Sequence, residues 1–144
     1  MCLNHVDSGP LPKSIVGYKA FFRRPEGNLT PDTVGGKRCK QFNFKPGRAY
    51  VDRYAKKLDI RLPSIDEDGS YRSYPCGFHF FLTLEGAKKW IGGYFAQSVE
   101  VWKCRFSSLT AIGDKSMDWT YHKAGVARRM TLLEKVDRKD LGLC

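Results

Sequence analysis

The run Pro75-Cys76-Gly77-Phe78-His79-Phe80-Phe81-Leu82 limits this chain more than any other segment. Its large apolar side chains do not alternate with polar ones, and Pro and Gly bound it. A short segment of that kind fits a central strand buried on both faces. Thr83 follows at once, and its hydroxyl can accept from an orphan amide of a first helical turn. Glu85 adds favourable charge there, so Thr83 to Ile91 reads as a short helix ended by Gly92-Gly93. Leu84, Ala87, Trp90 and Ile91 fall on one face of that helix, which would pack on the sheet. A buried strand feeding a packed helix points to an α+β fold: a mixed, mainly antiparallel sheet of five to seven strands with one short helix.

The other strands are read around this centre. Ile15-Val16-Gly17-Tyr18-Lys19-Ala20-Phe21-Phe22 mixes β-branched and aromatic residues and stops at Arg24-Pro25-Glu26-Gly27-Asn28. Lys37 to Phe44 has the period of two of a half-buried strand, and Lys45-Pro46-Gly47-Arg48 returns it into Ala49 to Tyr54 as a hairpin. Residues 55–75 hold few large apolar side chains and read as the longest loop. Asp66-Glu67-Asp68-Gly69 within it lacks the downstream glutamate of a calcium loop and reads as a turn. Ser98 to Phe106 alternates strictly, with Leu109 to Gly113 as a short partner, a loop over 114–119 and a last strand from Val126 to Leu133. Domain organisation follows: an irregular arm over 1–14, where Pro10 and Pro12 each remove a donor, one domain over 15–136, and a charged tail over 137–144 that frays from Glu134. No internal repeat or low-complexity tract is present.

With 144 residues, 42% of them hydrophobic, the chain can hold a core without a disulfide framework. Its odd set of scattered cysteines (Cys2, Cys39, Cys76, Cys104, Cys144) reads as reduced thiols. No apolar run is long enough to cross a bilayer, and no secretory pattern opens the chain, so a cytoplasmic place in a host cell and no membrane partner are expected. Twenty-five Lys and Arg against fifteen Asp and Glu give a formal charge of +10, which favours encounter with polyanions.

Several short motifs occur in a recognisable order: Gly17-Tyr18-Lys19-Ala20-Phe21, Cys39-x-x-Phe42, Gly47-x-x-Tyr50, Cys76-Gly77-Phe78-His79 before a helix, a Val99-x-Val101 strand, and Val126-Ala127-x-x-Met130-x-Leu132-Leu133. Across residues 15 to 136 this order resembles a group of uncharacterised domains of phages and other mobile elements, in which a Gly-Phe-His strand opens a helix. The resemblance implies a compact mixed sheet with one packed helix and a phage or mobile-element origin. It implies no activity.

Three sets of side chains are candidates for chemistry. Cys39, Cys76, His79 and Cys104 have the donor types of a tetrahedral zinc site, but with one close pair and two isolated cysteines, so core packing is the expectation and no cofactor is assigned. His79, with an unperturbed pKa near neutrality, is the candidate general acid or base. Tyr18 and Glu100 would join it in an enzyme acting on a nucleotide or phosphodiester, nuclease-like or ADP-ribosyltransferase-like. The P-loop, dinucleotide and nucleophile-elbow signatures are missing.

The third set is basic residues interleaved with aromatics. Arg23 and Arg24, Lys37, Arg38 and Lys40, Arg48, and Arg53, Lys56 and Lys57 are the candidate binding residues, with Arg61, Lys88-Lys89 and Arg128-Arg129 of the same character. Charge on such a surface holds phosphates while exposed rings stack bases. The expected function is therefore a small basic binding protein that docks on nucleic acid, or on an acidic face of a host nucleoprotein, and modulates it. The enzyme using His79 is the alternative.

Overall fold

The computed structural model describes residues 3–23, 27, 29–31, 44–66, 68–92 and 99–142. Among them are nine strands and two helices in the order β1 (His5–Val6), β2 (Ser14–Arg23), β3 (Leu29–Pro31), β4 (Ala49–Val51), α1 (Arg53–Lys57), β5 (Arg61–Asp66), β6 (Tyr71–Pro75), β7 (Phe78–Phe81), α2 (Leu84–Ile91), β8 (Val99–Met117) and β9 (Thr120–Lys135), with a closing 3-10 turn at Arg138–Leu141. Of the strand expected over 37–44, all but Phe44 lies outside the described residues.

All of these strands belong to one sheet, and every pairing is antiparallel except β1 with β5. The α+β class and the mixed, mainly antiparallel sheet thus hold, with more strands than expected. Four of the strands close on themselves. Strand β2 pairs with β8 from Ser14↔Ser107 to Phe22↔Val99, β8 pairs with β9, β9 pairs with β7, and β7 returns to β2 through Tyr18↔Phe81. Inside this ring lie Phe21, Phe78, Phe80, Cys104, Phe106, Met130 and Leu132, all buried. Phe80 and Phe106 stack at 3.8 Å with their planes 7° apart. The ring is narrow enough that Phe80 needs glycine on both sides. A Cβ on Gly17 would stand 2.6 Å from the Phe80 ring, and one on Gly125 would stand 2.5 Å from it.

The other face carries Ala20, Phe81, Val99, Val101, Ala124 and Val126, covered by Ala87 and Ile91 of α2. Here the sequence reading holds closely. Residues Phe78–Phe81 are buried throughout, and Thr83 caps α2 by accepting from the Gly86 N–H at 3.2 Å.

Five expectations are corrected. The segment over 1–14 is not wholly irregular: β1 bridges β5 and β8, Leu3 and Val6 are buried, and Leu3 N–H donates to the Tyr74 hydroxyl at 2.8 Å. Strand β4 ends at Val51, and Asp52 starts α1 instead, its carboxylate accepting from Ala55 N–H at 3.0 Å. Residues 55–75 are not a loop but the end of α1 and the β5–β6 hairpin, which is exposed along much of its length and so lacks an apolar alternation. The segments 98–106 and 109–113, with the supposed loop 114–119, form one continuous strand of 19 residues and a two-residue turn at Asp118-Trp119. Finally, the tail forms a 3-10 turn at Arg138–Leu141 that buries Leu141 in the core.

Candidate anion-binding cleft

Strand β8 is not regular against β9. Its register shifts between Leu109 and Ala111, leaving Thr110 as an extra residue, and Ser108 just before it has φ of 52°. A bulge of this kind bends a strand and re-aims its side chains. Thr110 Oγ1 donates to the Pro75 carbonyl at 2.7 Å, which fastens the end of β6 to the bulge. On the other side β4 pairs with β9 at Val51↔Arg129, and the Asp52 N–H donates to the Arg128 carbonyl at 2.8 Å, so capped α1 is held against β9.

The gap between these elements is a cleft of about 340 Å³, lined by Val51, Lys56 and Pro75 on one side and by Ser108, Thr110, Arg128 and Arg129 on the other. Three of its seven lining residues are cations, and no carboxylate among the described residues pairs with any of them. The Nη1 atom of Arg128 is buried and has no hydrogen-bond partner among the described residues. A buried guanidinium donor left unmade is costly, and native structures satisfy one with ordered water or a bound group, so this atom is a donor a ligand can take. Ser108 is exposed at the rim with its hydroxyl available as a further donor. Arg53 and Lys57 on α1 are exposed next to Lys56, and Arg61 sits opposite Pro75 in the β5–β6 register. On the outward side of the ring Arg105 pairs in register with Thr131, two residues from Arg129.

No protein family, curated protein or solved structure matches this chain.

Of the candidate binding residues, Lys56 lines the cleft, with Arg53 and Lys57 on the same short helix; Arg48 is exposed at the entry to β4. Arg23 is elsewhere and occupied. Its Nε and Nη2 donate to the two Glu100 oxygens at 2.8 and 2.9 Å. Arg24, Lys37, Arg38 and Lys40 lie outside the described residues. Arg128 and Arg129, of the same basic character but outside the candidate binding residues, line the cleft together with Ser108 and Thr110, for which the sequence offers no signal. Asp52 ahead of a basic Arg53-x-x-Lys56-Lys57 turn was the available signal that a capped helix, not a strand, stands there.

The three candidate catalytic residues are not assembled. Glu100 shares a face of β8 with Trp102, whose Nε1 donates to it at 3.2 Å, and Trp102 belongs to the ring interior. Tyr18 packs on the opposite, helix-covered face. Burial would raise the Glu100 carboxyl, but the hydrogen bonds from Arg23 and Trp102 and the charge of Lys135 outweigh it and hold it below the usual carboxylate range. His79 is 6% exposed, and its carbonyl accepts from Lys19 Nζ, itself buried, at 2.6 Å.

For the candidate metal ligands, Cys76 and Cys104 are buried thiols outside any disulfide, and burial pushes the Cys104 thiol up to about 12 despite the nearby charge of Lys19. Among the described residues no group of three or more His, Cys, Asp or Glu could hold a metal ion; Cys39 lies outside them. No helix among the described residues is long and apolar enough to cross a membrane.

Proposed function

We propose that this protein binds the phosphate backbone of a nucleic acid through the cleft between α1 and the β8 bulge. The observation that carries the reading is the buried Arg128 Nη1 without a partner among the described residues, in a cleft whose other cations, Lys56 and Arg129, face no carboxylate there. Planar guanidinium groups offer forked donors to phosphate oxygens, and a lysine and a serine hydroxyl complete a set with donors and little to accept from. A phosphodiester chain suits that set better than a carboxylate-bearing protein face, because successive phosphates would also meet Arg53, Lys57 and Arg61 around the rim. Such contacts hold the backbone and carry no sequence information, so the binding is expected to be sequence-tolerant. A small, basic, phage-encoded modulator of host nucleoprotein, working in the cytoplasm, is consistent with this chemistry.

The test is binding of a fluorescent oligonucleotide at low salt by the wild type, by Arg128→Met with Arg129→Ala, and by a control with Lys88→Ala and Lys139→Ala on other elements. The cleft pair is expected to lose at least about tenfold in affinity and the control to lose little. Arg128→Met keeps the apolar stem and removes a buried unmade donor, so its stability should match or exceed the wild type. Equal losses in both variants would show that charge alone, and not this cleft, is responsible.

A further inference from the structure

The far end of the β8–β9 hairpin carries a feature that the cleft leaves unused. Asp118 and Trp119 join the strands with φ of 47° and 65°, the left-handed pair of a two-residue turn that glycine and asparagine ordinarily supply. A bulky residue held there is strained. The indole gains nothing inside the protein in return, since Trp119 is 100% exposed. Tyr121, two residues on, is 60% exposed.

The backbone that presents these rings is fastened down. Lys89 of α2 holds Asp118 at 3.2 Å, Thr120 Oγ1 donates to the Met117 carbonyl at 2.7 Å, and Ser116 N–H donates to Asn4 Oδ1 at 2.7 Å. The Tyr121 ring lies 5.7 Å from His5. Lys115, opposite His122 in the register, has no carboxylate partner among the described residues.

We infer that Trp119 is a base-stacking platform for single-stranded nucleic acid, a second subsite on the ligand that the cleft holds by its phosphates; this rests on the cleft reading. A ring that packs against nothing has two faces free, and stacking a base asks for one such face and no surrounding apolar rim. A protein partner would ask for more. Hot-spot tryptophans sit at the centre of a dry, well-packed patch, whereas beside this one, apart from the exposed Tyr121 ring, Ser116, Asp118, Thr120 and His122 are polar. The net charge of +10 favours the polyanion over an uncharged partner. Geometry allows one strand to reach both places. Ser108 and Asp118 are separated by about 30 Å along β8, at roughly 3.3 Å per residue, which about ten nucleotides at roughly 3.4 Å or more each can span.

The experiment uses the full chain and one oligonucleotide of about 20 nucleotides, offered as a single strand and as a duplex, a length that covers both subsites. Trp119→Gly suits the backbone of the turn, so its melting temperature should equal or exceed that of the wild type, and folding does not confuse the reading. It should weaken single-strand binding about tenfold and leave duplex binding unchanged, because paired bases are not free to stack; Trp119→Phe should retain most of the affinity. Unchanged single-strand binding in Trp119→Gly, or an equal loss on single strand and duplex, overturns the platform. The cleft reading survives that result if Arg128→Met with Arg129→Ala still loses both forms, and if the wild type binds neither form both proposals fall together.

Discussion

The two ends of the β8–β9 hairpin are built from the same two strands and treat side chains in opposite ways. At the ring end β8 and β9 enclose Cys104, Phe106, Met130 and Leu132 completely, and Phe80 is admitted only because Gly17 and Gly125 stand aside. At the free end the same strands project an indole into solvent from a turn whose backbone disfavours it. Between the two, the bulge at Ser108–Thr110 opens the cationic cleft. Burial is deepest in the ring, whereas the Arg128 Nη1 donor without a partner among the described residues lies at the bulge and the fully exposed Trp119 at the tip. That division is what a binding protein requires, since groups satisfied within the fold have nothing to offer a ligand.

Substitutions should separate the two ends, with the ring giving the largest effect. Phe80→Ala should cost about 3–5 kcal/mol in urea unfolding, because the stack on Phe106 is lost and the glycine-lined space cannot collapse; a loss below about 1 kcal/mol would mean the ring interior is not the stability centre. The Glu100 network at the mouth of the ring gives a pH signature. Its folded pKa is held below the ordinary value of 4.5, so the unfolded chain binds the proton first. The stability contributed is present above about pH 4.5 and is lost as pH falls through the folded value. The urea midpoint of Glu100→Gln should therefore fall less than that of the wild type on acidification from about pH 5 to about pH 3.

At the alkaline side the sign is reversed for Cys104. Its thiol is raised from 9.0 to about 12, so its contribution is intact below pH 9 and lost as pH rises toward 12, and Cys104→Ala should flatten that limb. The smallest effects belong to the cleft and the tip. Asp52→Ala removes the cap of α1 and should cost about 1 kcal/mol, with a fall in oligonucleotide affinity because Lys56 loses its support. Stability without affinity, or the reverse, would separate the helix from the site.

How much of this could be read in the chain differs along it. The Phe78–Phe81 strand and α2 were legible because an unbroken apolar run and a threonine cap are local signals. The alternation of 99–106 was legible too. The 55–75 region was not, because Arg61, Pro63, Tyr71, Arg72 and Ser73 of its hairpin are exposed and leave no period-two apolar pattern to detect. Helix α1 has five residues, too few for a helical period. Closure of the ring rests on a single bridge, Tyr18↔Phe81, between segments far apart in the chain, and no local pattern encodes it. The cleft was hidden for the same reason: Lys56 and Pro75 come from elements far in the chain from the β8–β9 hairpin that carries Ser108 and Arg129, and they are brought to it by the β4–β9 pairing and the Thr110–Pro75 hydrogen bond. The basic runs are alike in sequence and differ only in the fold: Arg23 is paired with the Glu100 carboxylate, whereas Arg128 and Arg129 pair with no carboxylate among the described residues.

The salt dependence of oligonucleotide binding tests the cleft most directly. Lys56, Arg128 and Arg129, with Arg53, Lys57 and Arg61 at the rim, should displace counterions and give a slope of log affinity against log salt of about −4 to −5, reduced by about 1.5 when Arg128 and Arg129 are replaced together. A slope near zero, or one that Arg128→Met with Arg129→Ala leaves untouched, would contradict phosphate binding at this site.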